Sequence, residues 1–410
     1  MKLFDELKWR GLIKDITSEG LEDKINNEEI TFYIGTDPTA DSMHIGHYSS
    51  FLISKRLALH GHHPLLLVGG ATGRIGDPKP TTEREMKSIE EIEHNIKGLT
   101  EQAKKIFGFE VVNNYDWSKD INFIDFLRDY GKYFNVNYML DKDIIRRRLE
   151  TGITYTEFSY MIMQALDYLY LYENNNCTLQ VAGSDQWGNI TAGVDLIRKK
   201  TGNEVYAFTM PLITDENGKK ISKSDDGKTI WLDINKTSSY ELYQYFINID
   251  DSLCESYLKV FTFLEPDEII KIMNKHNQEP HLRNAQKILA KEVITDLHGS
   301  KEYDKALKIS EVLFNGNIKE LDKELFEIAF KDVSSYEINE DKNIVDLLVE
   351  SSICTSKREA RELITSGSIT INGDKIVDLD YIVTKNNAID NKYVVIRRGK
   401  KKYNLIRFNS

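Results

Sequence analysis

The chain has 410 residues, 40% of them hydrophobic and 29% charged, with a formal net charge of −11 at pH 7. That length calls for two or three separate cores, the composition is that of a globular protein, and no apolar run reaches the roughly 18 residues of a membrane span. The acidic balance argues against nucleic acid as a general partner, yet residues 343–410 hold 12 basic and 8 acidic residues against 42 and 57 in the rest, and a basic terminal module on an acidic body points to RNA.

The opening stretch, Met1-Lys2-Leu3-Phe4-Asp5-Glu6, lacks the basic end and apolar core of a signal peptide, so cytoplasm is the expected compartment. Ile30 to Ile34 reads as a strand feeding a loop rich in Gly, Pro, Thr and Asp, Gly35 to Ser42. A helix is predicted from near His44 to His60, with Gly61 just past its end in a left-handed C-cap. Backbone N–H groups and the helix dipole at such a start make an anion site. His44 and His47 share one helix face there, and Gly46 between them allows close approach of a flat group. Leu65 to Gly70 is a continuous apolar run, as in a strand buried on both faces of a parallel sheet. It enters the small-residue loop Ala71 to Pro78. A helix over about Thr82 to Phe107 and a strand over Phe109 to Val112 follow.

The next helix, Tyr155 to Tyr172, is almost wholly apolar except for Tyr160, Gln164 and Asp167 at i, i+4 and i+7. Either that stripe is a thin edge facing water, or it is buried and satisfied by a ligand; the apolar majority around it favours burial. A strand Thr178 to Val181, a loop Gly183 to Asn189, a helix to about Lys200 and a strand Val205 to Met210 complete a βα alternation. This reads as a doubly wound parallel α/β domain whose three loops follow strands and converge on one crevice. Arg198, Lys199 and Lys200 either complement a helix C-terminus or contact a polyanion. Gly, Ser and Asp around Lys219, Lys220 and Lys223 mark a loop whose ammonium groups suit a polyphosphate.

Four segments are expected: an α/β domain over 1–235, a helical domain over 236–325, an acidic linker over 326–342, and a small α+β domain over 343–410. In the last, Lys357, Arg358 and Arg361 lie near the start of a helix, and Gly367 to Gly373 reads as a strand entering an Asn-Gly turn. Residues 391–407 carry seven Lys/Arg and no acid, interleaved with Tyr393 and Tyr403 and followed by Phe408, a pattern suited to phosphates and unstacked bases. Cys177, Cys254 and Cys354 lie far apart, which argues against disulfides and a structural zinc site. The group His60, His62, His63 has no Cys or acidic partner at ligand spacing.

Pro38 to His47 resembles the HIGH signature of class I aminoacyl-tRNA synthetases, and Lys220-Ile221-Ser222-Lys223-Ser224 resembles their KMSKS loop. With Tyr33, the Tyr160/Gln164/Asp167 stripe and Gly183-Ser184-Asp185-Gln186-Trp187-Gly188-Asn189, nearly the whole chain is similar to the bacterial-type tyrosyl-tRNA synthetases. The resemblance implies a Rossmann-like catalytic domain, a helical domain, and an RNA-binding module like that of ribosomal small-subunit protein four. It implies L-tyrosine, ATP with magnesium, and tRNA(Tyr) as substrates, a homodimer, and no protein-bound structural metal. It assigns Thr39, His44, His47, Lys220, Lys223 and Ser224 to catalysis, with Thr39 and His44 on the terminal phosphate, His47 against the nucleotide, and Lys220, Lys223 and Ser224 over the pyrophosphate. Tyr33, Asp77, Tyr160, Gln164, Asp167 and Gln186 would bind tyrosine, with Tyr33 and Asp167 on the phenol hydroxyl. Gly35, Asp37, Gly46 and Asp185 would join His44, His47 and Lys223 around ATP, and Lys357, Arg358 and Arg361 would contact RNA. Ile34 departs from the cysteine found there in many members, and Lys79 and Arg84 are candidates only for a phosphate contact. Two other functions are weighed: an RNA-binding paralogue without catalysis, and a tryptophan-specific relative, which would have no use for Tyr33 and Asp167.

Overall fold

The computed structural model describes residues 1–78, 86–216, 218, 220–221, 227–331, 333, 335–399 and 402–409. They form two compact units, one of residues 1–237 and 245–297, the other of 238–244 and 298–410. Among the described residues no helix is long and apolar enough to cross a membrane.

The first unit is built on a sheet of β1 (Asp15–Ile16), β2 (Thr31–Thr36), β3 (His63–Val68), β4 (Glu110–Asn113), β5 (Cys177–Gly183) and β6 (Tyr206–Met210). Their order is β1-β6-β5-β2-β3-β4. β2 to β6 run parallel, and β1 lies antiparallel on the β6 edge. β1 is too short to carry a period, which is why periodicity misses it. The chain runs from β2 to β3 and β4 on one side and returns with β5 on the other. Strand order therefore reverses at β2, and a crevice opens beyond its carboxyl end.

Helices follow from local signals. The Ile45–Leu59 helix starts at the N-cap His44 and ends at His60, and Gly61 takes φ +94° as its position predicts. The Ile89–Gln102 helix is capped by Ser88, whose hydroxyl accepts from the Glu91 N–H at 3.1 Å, and runs on into a π-helical turn, Ala103–Phe107. Its expected start near Thr82, with Lys79 and Arg84, lies outside the described residues. The Tyr155–Asn175 helix packs on β2 and β3 through a cluster that includes Tyr33, Leu65, Leu67, Ala165 and Leu169. Short helices between Tyr115 and Leu149 connect β4 to it.

Helices expected to form a separate domain over 236–325 divide between the two units. Cys254–Phe261 and Pro266–Gln278 belong to the first, Ser300–Asn315 and Lys323–Ala329 to the second. An amphipathic period announces a buried face without saying which core covers it. Buried arginines supply the answer for the first unit. Arg56 Nη2 donates to the Thr262 carbonyl at 2.7 Å and Arg10 Nη2 to that of Leu264 at 2.7 Å, while Glu6 accepts from Arg10 Nε at 2.6 Å. Each guanidinium is paired with Glu6, as burial requires, although Arg56 Nε has no hydrogen-bond partner among the described residues.

The second unit holds β7 (Ser335–Ile338), β8 (Lys342–Asn343), β9 (Ile369–Ile371), β10 (Asp374–Ile376), β11 (Ile382–Val383), β12 (Tyr393–Arg398) and β13 (Lys402–Phe408). Five of them form a sheet in the order β10-β9-β12-β13-β7, and β8 pairs with β11. Asn372 (φ +50°) and Gly373 (φ +92°) make the expected tight turn between β9 and β10. The stretch 326–342 differs from the linker read from sequence: it contributes the end of one helix and β7, which pairs in parallel with β13. Acidic composition hid a strand whose partner lies near the far end of the chain. The basic segment 391–407 is also no free tail but largely the β12–β13 hairpin. Tyr393 and Tyr403 pack on the cluster of Phe326, Phe330 and Val395, and Phe408 is buried against Ile344 and Val394. Those aromatics serve the core rather than a base-stacking surface.

Candidate active site

At the carboxyl end of β2 a cavity of about 420 Å³ is lined by Tyr33, Gly35, Asp37 and Thr39, by Thr72 and Asp77 after β3, and by Asp185 and Gln186 after β5. Tyr160, Gln164 and Asp167 of the Tyr155–Asn175 helix face the same space. The three loops and the polar stripe thus meet in one crevice, with Tyr33 and Gly35 on the cavity-facing side of β2 while Ile34 between them is buried and absent from the lining.

A directed chain of hydrogen bonds fixes the deep end. Asn114 Nδ2 donates both to Asp167 Oδ2 (2.9 Å) and to Thr72 Oγ1 (3.0 Å), and Thr72 Oγ1 donates on to Asp37 Oδ1 (2.8 Å). Asp37 Oδ2 accepts from the Tyr160 hydroxyl (2.9 Å), and Trp117 Nε1 donates to Asp167 Oδ1 (2.9 Å). Both carboxylates are therefore acceptors throughout. Burial pushes the Asp167 carboxyl up to about 7, against the pull of its bonds to Asn114 and Trp117. Burial and the neighbouring Asp37 and Asp77 carboxylates raise the Tyr160 phenol well above its usual range, so it stays a donor to Asp37. Asp77 accepts from Gln186 Nε2 (3.0 Å) and Asn189 Nδ2 (3.2 Å). Two buried groups face the cavity without a hydrogen-bond partner among the described residues: the Tyr33 hydroxyl and Gln180 Oε1. Tyr33 is only 2% exposed. An orphaned buried hydroxyl costs about 1–3 kcal/mol unless a ligand pairs it.

His47 also lines the cavity, and His44 stands beside it at the helix N-cap. His44 Nδ1 accepts from the Gly46 N–H (3.1 Å) and His47 Nδ1 from the His44 N–H (3.2 Å), with the rings 4.0 Å apart. Burial, then Lys220, lowers His44 to about 4; burial, then His44 and Lys220, lowers His47 to about 3. Both rings are neutral near pH 7, and because Nδ1 accepts, each proton sits on Nε2. The helix start expected to offer free N–H groups does not. The Ile45 N–H donates to the Ile230 carbonyl (2.9 Å), the Gly46 N–H to His44, and the His47 N–H to the His44 carbonyl (2.8 Å). Lys220 Nζ lies 3.8 Å from Asp185 Oδ2.

The Lys220 segment is tied to the loop after β6, and the stretch that follows it to this turn. The Ile221 N–H donates to the Ile213 carbonyl (3.0 Å), and the Leu232 N–H donates to the Met43 carbonyl (2.8 Å). A Cβ on Gly46 would stand 2.8 Å from the Ile221 carbonyl oxygen and 2.9 Å from His44 Cε1. The missing side chain makes room for this chain's own loop, where the sequence suggested only a ligand. Gly69 is equally constrained, since a Cβ there would meet Asp37 Oδ1 at 2.2 Å. Lys223 and Ser224 lie outside the described residues. Arg198 and Lys199 pair with Asp195 at 2.7 and 2.6 Å, and Lys200 with Glu173 at 3.3 Å, which fits completion of the helix end. In the second unit Lys357 and Arg358 are exposed and pair with Asp346 (2.6 Å) and Glu362 (3.0 Å), and Arg361 is exposed beside them.

Sequence reasoning missed Asn114, Trp117, Thr72 and Gln180. Asn114 and Trp117 follow β4, so the rule that flagged loops after the other strands would have found them. Gln180 sits inside β5 among apolar neighbours, and that polar interruption of a buried strand was the available signal.

Residues 25–315 match the family described as tRNA synthetases class I (W and Y), and residues 325–406 match the tyrosine–tRNA ligase SYY-like C-terminal domain. The chain is 50% identical to a tyrosine–tRNA ligase of Listeria welshimeri, covering 100% of both proteins. It is 48% identical to that of Staphylococcus carnosus, covering 99% of each. Among solved structures, a C-terminally truncated mitochondrial tyrosyl-tRNA synthetase of Aspergillus nidulans superposes with a TM-score of 0.68 at 34% identity, covering 76% of this chain and 94% of that one. A tryptophanyl-tRNA synthetase of Encephalitozoon cuniculi shares the fold at 15% identity and a TM-score of 0.54, covering 74% of this chain and 87% of that one. Architecture alone therefore does not choose between the two amino acids.

Proposed function

The chain belongs to the class I aminoacyl-tRNA synthetases and is a tyrosine–tRNA ligase, and on that premise we propose which of its groups carry each step. The tyrosine carboxylate attacks the α-phosphorus of ATP, the bond to the pyrophosphate oxygen breaks, and tyrosyl-adenylate forms. A ribose hydroxyl of the terminal adenosine of tRNA(Tyr) then takes the tyrosyl group and AMP leaves. The attacking carboxylate is already ionised, so the first step needs no general base; positioning and stabilisation of charge on the phosphates supply the catalysis. Magnesium, arriving with the nucleotide, neutralises phosphate charge.

Tyr33 and Asp167 take the phenol hydroxyl; the orphaned Tyr33 hydroxyl in a cavity floored by carboxylates is the observation that carries this reading. Tyr160, Gln164 and Asp77 hold the α-ammonium. Support comes from a Tyr160 phenol locked as donor to Asp37 and an Asp77 carboxylate held by Gln186 and Asn189. Gln186 also faces the tyrosine carboxylate, and Gly35, Asp37 and Asp185 face the nucleotide. The Nε2–H groups of His44 and His47, with Thr39, donate to the phosphates, and Lys220, Lys223 and Ser224 close over pyrophosphate. The direct test is amino-acid-dependent exchange of pyrophosphate into ATP, without tRNA, across all twenty amino acids. Exchange with tyrosine alone is expected. Exchange with tryptophan would overturn the substrate, and no exchange would leave an RNA-binding paralogue.

Gly46→Ala should slow adenylate formation by about 100-fold, the cost of an ångström's misplacement of catalytic groups, with tyrosine affinity kept. Burst kinetics beside equilibrium tyrosine binding separate the two.

Lys357, Arg358 and Arg361 contact tRNA. Their surface ion pairs are worth little and exchange readily for phosphate. Replacing all three by alanine should leave pyrophosphate exchange intact, raise the KM for tRNA, and reduce the salt slope of tRNA binding by roughly one per residue lost.

The protein works as a homodimer in the cytoplasm, a compartment that suits three cysteines that are all free. Phe123 (65% exposed), Ile124, Val136 and Leu149 are exposed apolar side chains on the segments between β4 and the long helix, as is Tyr155 at the start of that helix, and we place the dimer interface there. Phe123→Glu combined with Val136→Glu should shift the sedimentation coefficient to that of a monomer; an unchanged dimer would put the interface elsewhere.

A further inference from the structure

Outside the cavity, the described residues bring together one group with the donor set of a metal site: Asp251, Cys254 and His276, whose ligand atoms all lie within 4.8 Å of one another. They come from three places in the first unit. Asp251 opens the turn Asp251–Leu253, Cys254 is the first residue of the Cys254–Phe261 helix, and His276 lies in the last turn of Pro266–Gln278.

His276 is 1% exposed, yet neither ring nitrogen has a hydrogen-bond partner among the described residues. Its Nε2 is 3.3 Å from Asp251 Oδ1, close enough for a hydrogen bond but not aligned for one. Around a tetrahedral ion with metal–N and metal–O bonds of about 2.0–2.1 Å, the nitrogen–oxygen edge is about 3.3 Å, and edges to a thiolate sulfur are about 3.6 Å. The histidine–carboxylate spacing already has that value, and Cys254 Sγ, which here donates to the Asp250 carbonyl at 3.8 Å, lies within 4.8 Å of both ligand atoms. Asp251 Oδ1 is steadied by Gln286 Nε2 at 2.7 Å, and Gln286 is itself buried, the outer support that ligating carboxylates usually have.

We propose that Asp251, Cys254 and His276 form a binding site for a zinc-type divalent cation, with the fourth position open to water beside exposed Asp251. Thiolate and carboxylate together balance the two positive charges. As the metal–sulfur bond forms, the thiol proton leaves to solvent, and no oxidant or reductant is involved.

Full-length protein stripped with a chelator and titrated with zinc chloride should take up a single zinc per chain. Cobalt(II) in its place should give a thiolate-to-metal absorption band. Cys254→Ser should abolish the band, and Cys254→Ser and His276→Gln should each weaken zinc binding by roughly 100-fold or more. Equal zinc uptake by wild type and both variants, or a cobalt spectrum without the thiolate band, overturns the site. If circular dichroism shows either buried variant misfolded, the exposed Asp251→Asn replaces it, and unchanged zinc affinity in that variant overturns the site equally.

Discussion

Asp167→Asn should cut kcat/KM for tyrosine by about 100-fold or more, because it removes a charge-assisted acceptor and also sets donor against donor. Asn114 Nδ2 and Trp117 Nε1 each donate to one carboxylate oxygen (both 2.9 Å), so an amide at this position points its NH2 at one of them in either orientation. Tyr33→Phe, which deletes a hydroxyl but leaves no new orphan, should lose less. Together the pair should set the rejection of phenylalanine, roughly 10⁴–10⁵ in kcat/KM, a magnitude that belongs to tyrosine-specific enzymes of this kind in general rather than to the geometry of this site. Steady-state pyrophosphate exchange with tyrosine and phenylalanine measures all of it. An Asp167→Asn variant that activates tyrosine as well as wild type would remove Asp167 from the phenol site. pH gives a second reading. Asp167 titrates at about 7 in the free protein, and a phenol donor favours its ionised form. By linkage tyrosine lowers that pKa, so kcat/KM for tyrosine should be full above pH 7 and fall as pH drops through it.

His44→Asn should slow adenylate formation by about 10²–10³, the loss expected for one preorganised donor to developing phosphate charge, while tyrosine affinity stays close to wild type. Asparagine is chosen because it still caps a helix, so the bond from the Gly46 N–H has a successor and the loss reports Nε2. Single-turnover rates at saturating tyrosine and ATP make the measurement. With His44 at about 4 and His47 at about 3, kcat in the wild type should show no histidine limb near pH 6.5. A limb there that vanishes in His44→Asn would mean that the imidazole titrates and acts as an acid or base.

Much of this site is legible in the chain itself. β2 announces itself by its apolar run and the loop behind it, and the stripe Tyr160, Gln164, Asp167 stands out because three polar side chains share one face of an apolar helix. Loops after parallel strands meet at one end of a sheet, so Asp77 and Asp185 can be assigned to one crevice without knowing the strand order. Asn114 and Trp117 follow β4 and fall under the same rule, but what they do there is not legible. Their role is to hold Asp167, across a sequence gap no local pattern spans. Domain limits failed for a related reason. β7 and β13 pair in parallel across a long sequence gap, Ser335–Ile338 with Lys402–Phe408, and helical periodicity over 236–325 is the same whichever unit buries the apolar face.

Most of the elements, the residue types at the site and their convergence on one strand end are dictated by the chain alone, because they follow from periods of 2 and 3.6 and from local turn chemistry. How the groups are charged and engaged is settled only by folding. Burial makes His44 and His47 neutral donors and lifts Asp167 to about 7. Packing turns Gly46 into a seat for Ile221 and draws Asp251, Cys254 and His276 to within 4.8 Å of one another. Desolvation and long-range contact belong to the folded volume, and no stretch of chain carries them alone.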